Sequence, residues 1–63
     1  MEKTTVIIKY RLPDNTERVS VQTFSGLDSA LLFADSIRLY HAPGITGSVT
    51  VRSENGRGIV IGF

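Results

Sequence analysis

Hydrophobic and polar positions alternate along most of this chain and change period once. From Thr5 to Leu12 (TVIIKYRL), Val6, Ile8, Tyr10 and Leu12 fall on one face and Ile7, Lys9 and Arg11 on the other, which is the period of a strand. Pro13-Asp14-Asn15-Thr16 reads as a turn, and Glu17 to Thr23 as a second strand with Arg18, Ser20 and Gln22 outward. A four-residue loop pairs Tyr10 with Val19, Ile8 with Val21 and Val6 with Thr23. A three-residue loop sets Ile8 against Ser20 and Val6 against Gln22, a slip that turns one strand over. Matching apolar faces favours the four-residue loop.

The period changes to that of a helix between Ser25 and His41. Leu27, Ala30, Leu31, Ala34 and Ile37 form one stripe, widened on one edge by Phe33 and Tyr40. Ser25 with Asp28 three residues on has the spacing of a capping box, so Ser25 is the expected N-cap and Asp28 faces the positive end of the helix dipole. Pro43 and Gly44 mark the end, and His41 is expected in the last turn beside the free carbonyls.

Alternation returns in Ser48 to Ser53 and in Arg57 to Phe63, with Ile45 placed to plug the end of the core. Asn55-Gly56 allows a two-residue turn that pairs Glu54 with Arg57 and sets Val51 against Val60. A three-residue Glu54-Asn55-Gly56 loop with Gly56 in the left-handed position instead pairs Val51 with Ile59, Val49 with Ile61 and Gly47 with Phe63. It buries more, so it is the expected register.

The predicted fold is α+β, ββαββ, with one helix on one face of a four-stranded mixed sheet. The first and last strands carry the runs TVII and GIVIGF, which suit central positions, while the second and third are polar on alternate residues and suit edges. The expected order is therefore 2-1-4-3, with strands one and four parallel. That arrangement is β-grasp-like and resembles the immunoglobulin-binding domains of protein G. Residues 1–63 read as a single domain, without repeats, linkers or low-complexity tracts.

Composition narrows the chemistry. Apolar residues at 41% and charged residues at 21% are globular values, which argues against a disordered chain. With no cysteine and one histidine, thiolate metal sites and disulfides are excluded, and the carboxylates have no metal-loop spacing. No G-x-S-x-G elbow is present. Gly44-Ile45-Thr46-Gly47 lacks the lysine of a phosphate loop and opens a strand, so it reads as a turn. An enzyme is therefore not expected, nor is a cofactor. No apolar run is long enough to span a bilayer and no signal-peptide pattern opens the chain, so the expected compartment is the cytoplasm and no membrane partner is expected.

Two surfaces remain as candidates. Lys9, Arg11, Arg18 and Arg52 are expected on the sheet face away from the helix, where they can lie along phosphates or simply keep the face solvated. That face has no aromatic platform for stacking bases, since Tyr10 points to the core. On the helix, Asp28, Leu32, Asp35 and Leu39 lie opposite the core stripe, where the two leucines can dock a partner or a second copy.

Val6-Ile7-Ile8-Lys9 in the first strand, Leu27 with Ala30 and Ala34 in the helix, and Gly47-Ser48-Val49 opening the third strand resemble the pattern of small proteins encoded by phages and mobile elements, including some anti-CRISPR proteins that block type I surveillance complexes. The resemblance implies a stoichiometric inhibitor of a host defence complex rather than a catalyst. The expected function is thus a non-enzymatic protein-binding module whose partner is a protein or a nucleoprotein complex. A nucleic-acid-binding module using the basic sheet face is the alternative, and a small structural homodimer, weakly associated, is the third reading.

Overall fold

The computed structural model describes residues 3–63 and is an α+β fold of five elements: β1 (Thr4–Arg11), β2 (Glu17–Phe24), α1 (Leu27–Tyr40), β3 (Thr46–Ser53) and β4 (Gly58–Gly62). The four strands form one sheet in the order β2-β1-β3-β4, and every neighbouring pair is antiparallel. The expected 2-1-4-3 order with a parallel central pair therefore does not form, and with it goes the β-grasp-like arrangement. Length explains the outcome. β3 has eight residues and pairs with all eight of β1, from Thr4 opposite Ser53 to Arg11 opposite Thr46, whereas β4 has five residues to offer. The apolar run of β4 is that of an edge strand, with Ile59 and Val60 exposed.

Both hairpins close with the same kind of turn. In the first, the Asn15 amide donates to the Leu12 carbonyl (2.9 Å) and the Leu12 amide to the Thr16 carbonyl (2.9 Å), while Asn15 itself takes φ 72°. This is a type I turn followed by a left-handed residue, and Asn is among the few non-glycine residues that accept it readily. The Asp14 carboxylate accepts the Thr16 amide at 3.0 Å, and hydrogen bonds from the Thr16 hydroxyl and amide hold its pKa below the ordinary carboxylate value. In the second turn the Gly56 amide donates to the Ser53 carbonyl (3.0 Å), and Gly56 takes φ 89°.

The two turns have different consequences for the registers drawn from the sequence. The expected pairing of β3 with β4 forms, with Val49 opposite Ile61 and Val51 opposite Ile59. The expected pairing of β1 with β2 does not. Ile8 lies opposite Ser20, Val6 opposite Gln22 and Tyr10 opposite Arg18, as a three-residue loop dictates. The slip carries Val19 and Val21 onto the helix-free face and Arg18, Ser20 and Gln22 onto the other.

The core lies between the helix and the two central strands. Val6 and Ile8 of β1, Val49 and Val51 of β3, and Ala30 and Ala34 of α1 are buried. Tyr10, Phe24, Leu31, Phe33, Ile37, Ile61 and Phe63 pack around them. The two alanines let the helix backbone come close to the sheet, while Phe24 and Phe33 close one side with ring centroids 5.2 Å apart. Tyr40, expected at the edge of the core stripe, points instead to solvent. The helix starts one residue later than expected. Gly26 is the N-cap, in extended geometry and without a side-chain hydrogen bond, so Ser25 does not cap. It ends at Tyr40, and His41 is extended beyond it, with Nδ1 3.2 Å from the Ala42 carbonyl oxygen and its ring 5.0 Å from that of Phe63. His41 thus packs the helix end against the last residue of the chain. The cation of the last turn is Arg38, paired with Asp35 at 2.8 Å.

Two of the described residues are polar and buried, Thr4 and Ser53, and the Ser53 hydroxyl donates to Asn55 and the Arg57 carbonyl. Thr4 is fully buried, and its hydroxyl has no hydrogen-bond partner among the described residues. An unpaired buried hydroxyl costs about 1–3 kcal/mol, and valine has nearly the same shape. Thr4→Val is expected to stabilise the domain by about 1 kcal/mol, which for a chain of this size raises the melting temperature by roughly 4–8 °C. An unchanged or lowered melting temperature would show that the hydroxyl is satisfied by a bound water.

Candidate protein-binding surfaces

Because opposite residues of an antiparallel pair share a face, the registers define the helix-free side of the sheet residue by residue. One row crosses all four strands: Val21, Ile7, Thr50 and Val60, each opposite the next. The row beside it is Val19, Lys9, Ser48 and Gly62, and the row on the other side is Thr23, Thr5, Arg52 and Gly58. No described element covers this face. Val19, Val21 and Val60 are 63%, 61% and 69% exposed, and Ile7 is half-buried by its neighbours. A β-branched aliphatic band therefore runs across the sheet with Lys9 on one flank and Arg52 on the other.

The structure divides the expected basic cluster. Lys9, Arg11 and Arg52 share the helix-free face, whereas Arg18, opposite Tyr10, belongs to the other. Arg11 is bonded to Glu17 directly across from it, which neutralises one cation and puts a carboxylate on a face expected to have few. An open hollow of about 300 Å³ lies at this end of the sheet, with Lys9, Arg11, Glu17, Val19, Thr46 and Ser48 along it. What the sequence reading missed here is the aliphatic band itself, because the four-residue loop register consigned Val19 and Val21 to the core. Asn15, suited to the left-handed position, was the available signal for the shorter loop.

On the helix, Leu32 and Leu39 are exposed at 73% and 55%, and Asp28 and Asp35 lie on the same stripe. Asp35 is engaged by Arg38, so this face carries less free negative charge than its sequence implies. Two open grooves run between α1 and β4. One is lined by Asp28, Leu31, Leu32, Asp35 and Ile61, and the other includes Leu27, Leu31, Val51 and Ile59.

Among the described residues no three or more His, Cys, Asp or Glu side chains gather where a metal ion could sit, and no helix is long and apolar enough to cross a membrane. No protein-family profile, curated protein or solved structure matches the chain.

Proposed function

We propose that this protein is a non-enzymatic binding module that engages a protein partner through the helix-free face of its sheet. The observation that carries the reading is the in-register row Val21, Ile7, Thr50 and Val60, widened by Val19 and left uncovered. Contiguous exposed aliphatic side chains favour a dry protein contact, since they offer phosphates nothing and bases no ring to stack on. Lys9 and Arg52 at the flanks fit a rim that selects an acidic partner and speeds its approach. A stoichiometric inhibitor of a host defence complex, the role implied by the resemblance to small phage proteins, is the specific form of this reading.

The test is capture from nuclease-treated lysate of the source cell, comparing the wild type with Val19→Glu/Val21→Glu and with Leu32→Glu/Leu39→Glu. All four positions are exposed, so the variants are expected to fold. A stoichiometric protein should persist with the wild type and the helix variant. The sheet variant should bind it at least 30-fold more weakly, the loss expected when residues at the centre of an interface are disrupted. Retention by the sheet variant and loss by the helix variant would move the interface to Leu32 and Leu39. Loss of every partner after nuclease treatment would favour nucleic acid.

A further inference from the structure

We propose that the β4 edge is a self-complementary seam through which two copies of this chain join their sheets, antiparallel, about a two-fold axis at Val60. The inference rests on backbone geometry and is independent of the partner proposed above. Gly47 exchanges both backbone hydrogen bonds with Phe63 at 3.0 Å, and the Ser53 amide donates to the Arg57 carbonyl at 2.7 Å. Antiparallel pairs alternate between bonded and non-bonded, so Ile59 and Ile61 also turn their backbone groups toward β3. Gly58, Val60 and Gly62 turn theirs outward, along an edge that no described strand occupies.

Exposed edges are ordinarily blunted by charge, proline or a bulge. The β2 edge carries Glu17 and Arg18, but β4 from Gly58 to Gly62 reads GIVIG, without any such device. That sequence is also a palindrome. Antiparallel self-pairing about Val60 sets Val60 against Val60, Ile59 against Ile61 and Gly58 against Gly62 of the second copy. Every outward-pointing N–H of Gly58, Val60 and Gly62 then meets a carbonyl oxygen of the second copy, and every outward-pointing carbonyl meets an N–H. Ile59 and Ile61 lie on the helix side, where the grooves beside Leu27, Leu31 and Leu32 leave room for the incoming isoleucines. Asp28 and Asp35 line that side, and the one charged side chain among residues 57–63 of the second copy is Arg57. Gly62 has no reason within its own chain to lack a side chain, since a Cβ there would meet nothing within 4 Å. In the paired edge it faces another glycine.

Sedimentation velocity from micromolar to millimolar concentration tests the seam. The wild type should shift from monomer to dimer. Val60→Lys and Val60→Glu, each tolerated at an exposed position, should weaken association at least tenfold, because like charges then stand directly opposite one another. Mixing the two variants in equal amounts should restore the dimer, which happens only if residue 60 faces its own copy. In parallel, amide exchange at Gly58, Val60 and Gly62 should slow with concentration, while Ile59 and Ile61, bonded to β3, should be indifferent to it. A wild type that stays monomeric, a dimer unaffected by both variants, a mixture no better than its components, or exchange at Val60 independent of concentration would each overturn the proposal.

Discussion

Gly47→Ala is expected to destabilise the domain severely, by about 1–3 kcal/mol or more. Gly47 lies in β3 opposite Tyr10, and a Cβ at that position would stand 2.6 Å from the Tyr10 Cα and 2.9 Å from the Lys9 carbonyl carbon, with the Lys9 oxygen nearer still. These are backbone atoms of the adjacent strand and cannot rotate aside. Moving β3 away would also strain the two hydrogen bonds that tie Gly47 to Phe63. Overpacking of this kind costs about 1–3 kcal/mol or more, against the 3–5 kcal/mol or so that a single core supplies in a chain of this length. Urea denaturation followed by circular dichroism measures the loss, with Gly62→Ala in dilute solution as the control that meets no neighbour. The result bears on topology as well as stability. In the 2-1-4-3 order β3 would be an edge strand away from β1, and alanine at position 47 would be harmless. A wild-type midpoint for Gly47→Ala would therefore overturn the order β2-β1-β3-β4.

What the sequence specified plainly was the element inventory and the pairing of β3 with β4. That register could be read because one choice, Val49 with Ile61 and Val51 with Ile59, placed all four side chains on the helix side, and Gly56 supplied the positive φ that the turn requires. The pairing of β1 with β2 could not be read by the same logic. Matching apolar faces assumes that the face away from the helix is polar, and in this protein it is not, since Val19, Val21 and Val60 are exposed there. An exposed aliphatic surface thus resembles a core in sequence. Strand order failed for a related reason. The run GIVIGF reads as a central strand, whereas β4 lies at an edge with two open grooves beside it. The candidate site was legible only in part. Lys9, Arg11 and Arg52 do share a face, but the band between Lys9 and Arg52 emerged only once the register was known. In both misreadings the residues that break the local rules of burial are exposed aliphatic ones, Val19, Val21, Ile59 and Val60.

Val6→Ala and Val21→Ala should differ several-fold in their cost to stability, although both remove the same atoms from neighbouring strands. Val6 is fully buried between Val51 and the helix, so its truncation loses two buried methyl groups and leaves a cavity, at a cost of about 2–3 kcal/mol. In so small a domain that is most of the stability, and Val6→Ala is expected to be partly unfolded without denaturant. Val21 lies opposite Ile7 on the uncovered face, mostly in water, and its truncation should cost less than about 0.5 kcal/mol. Under the four-residue loop Val21 would instead face Ile8 in the core, and its loss would cost as much as that of Val6. Denaturant midpoints of the two variants decide between the registers. Comparable destabilisation would return Val21 to the core and remove the aliphatic row on which the protein-binding reading stands. A large loss at Val6 with a near-native Val21→Ala leaves the band at the surface, where a partner can reach it.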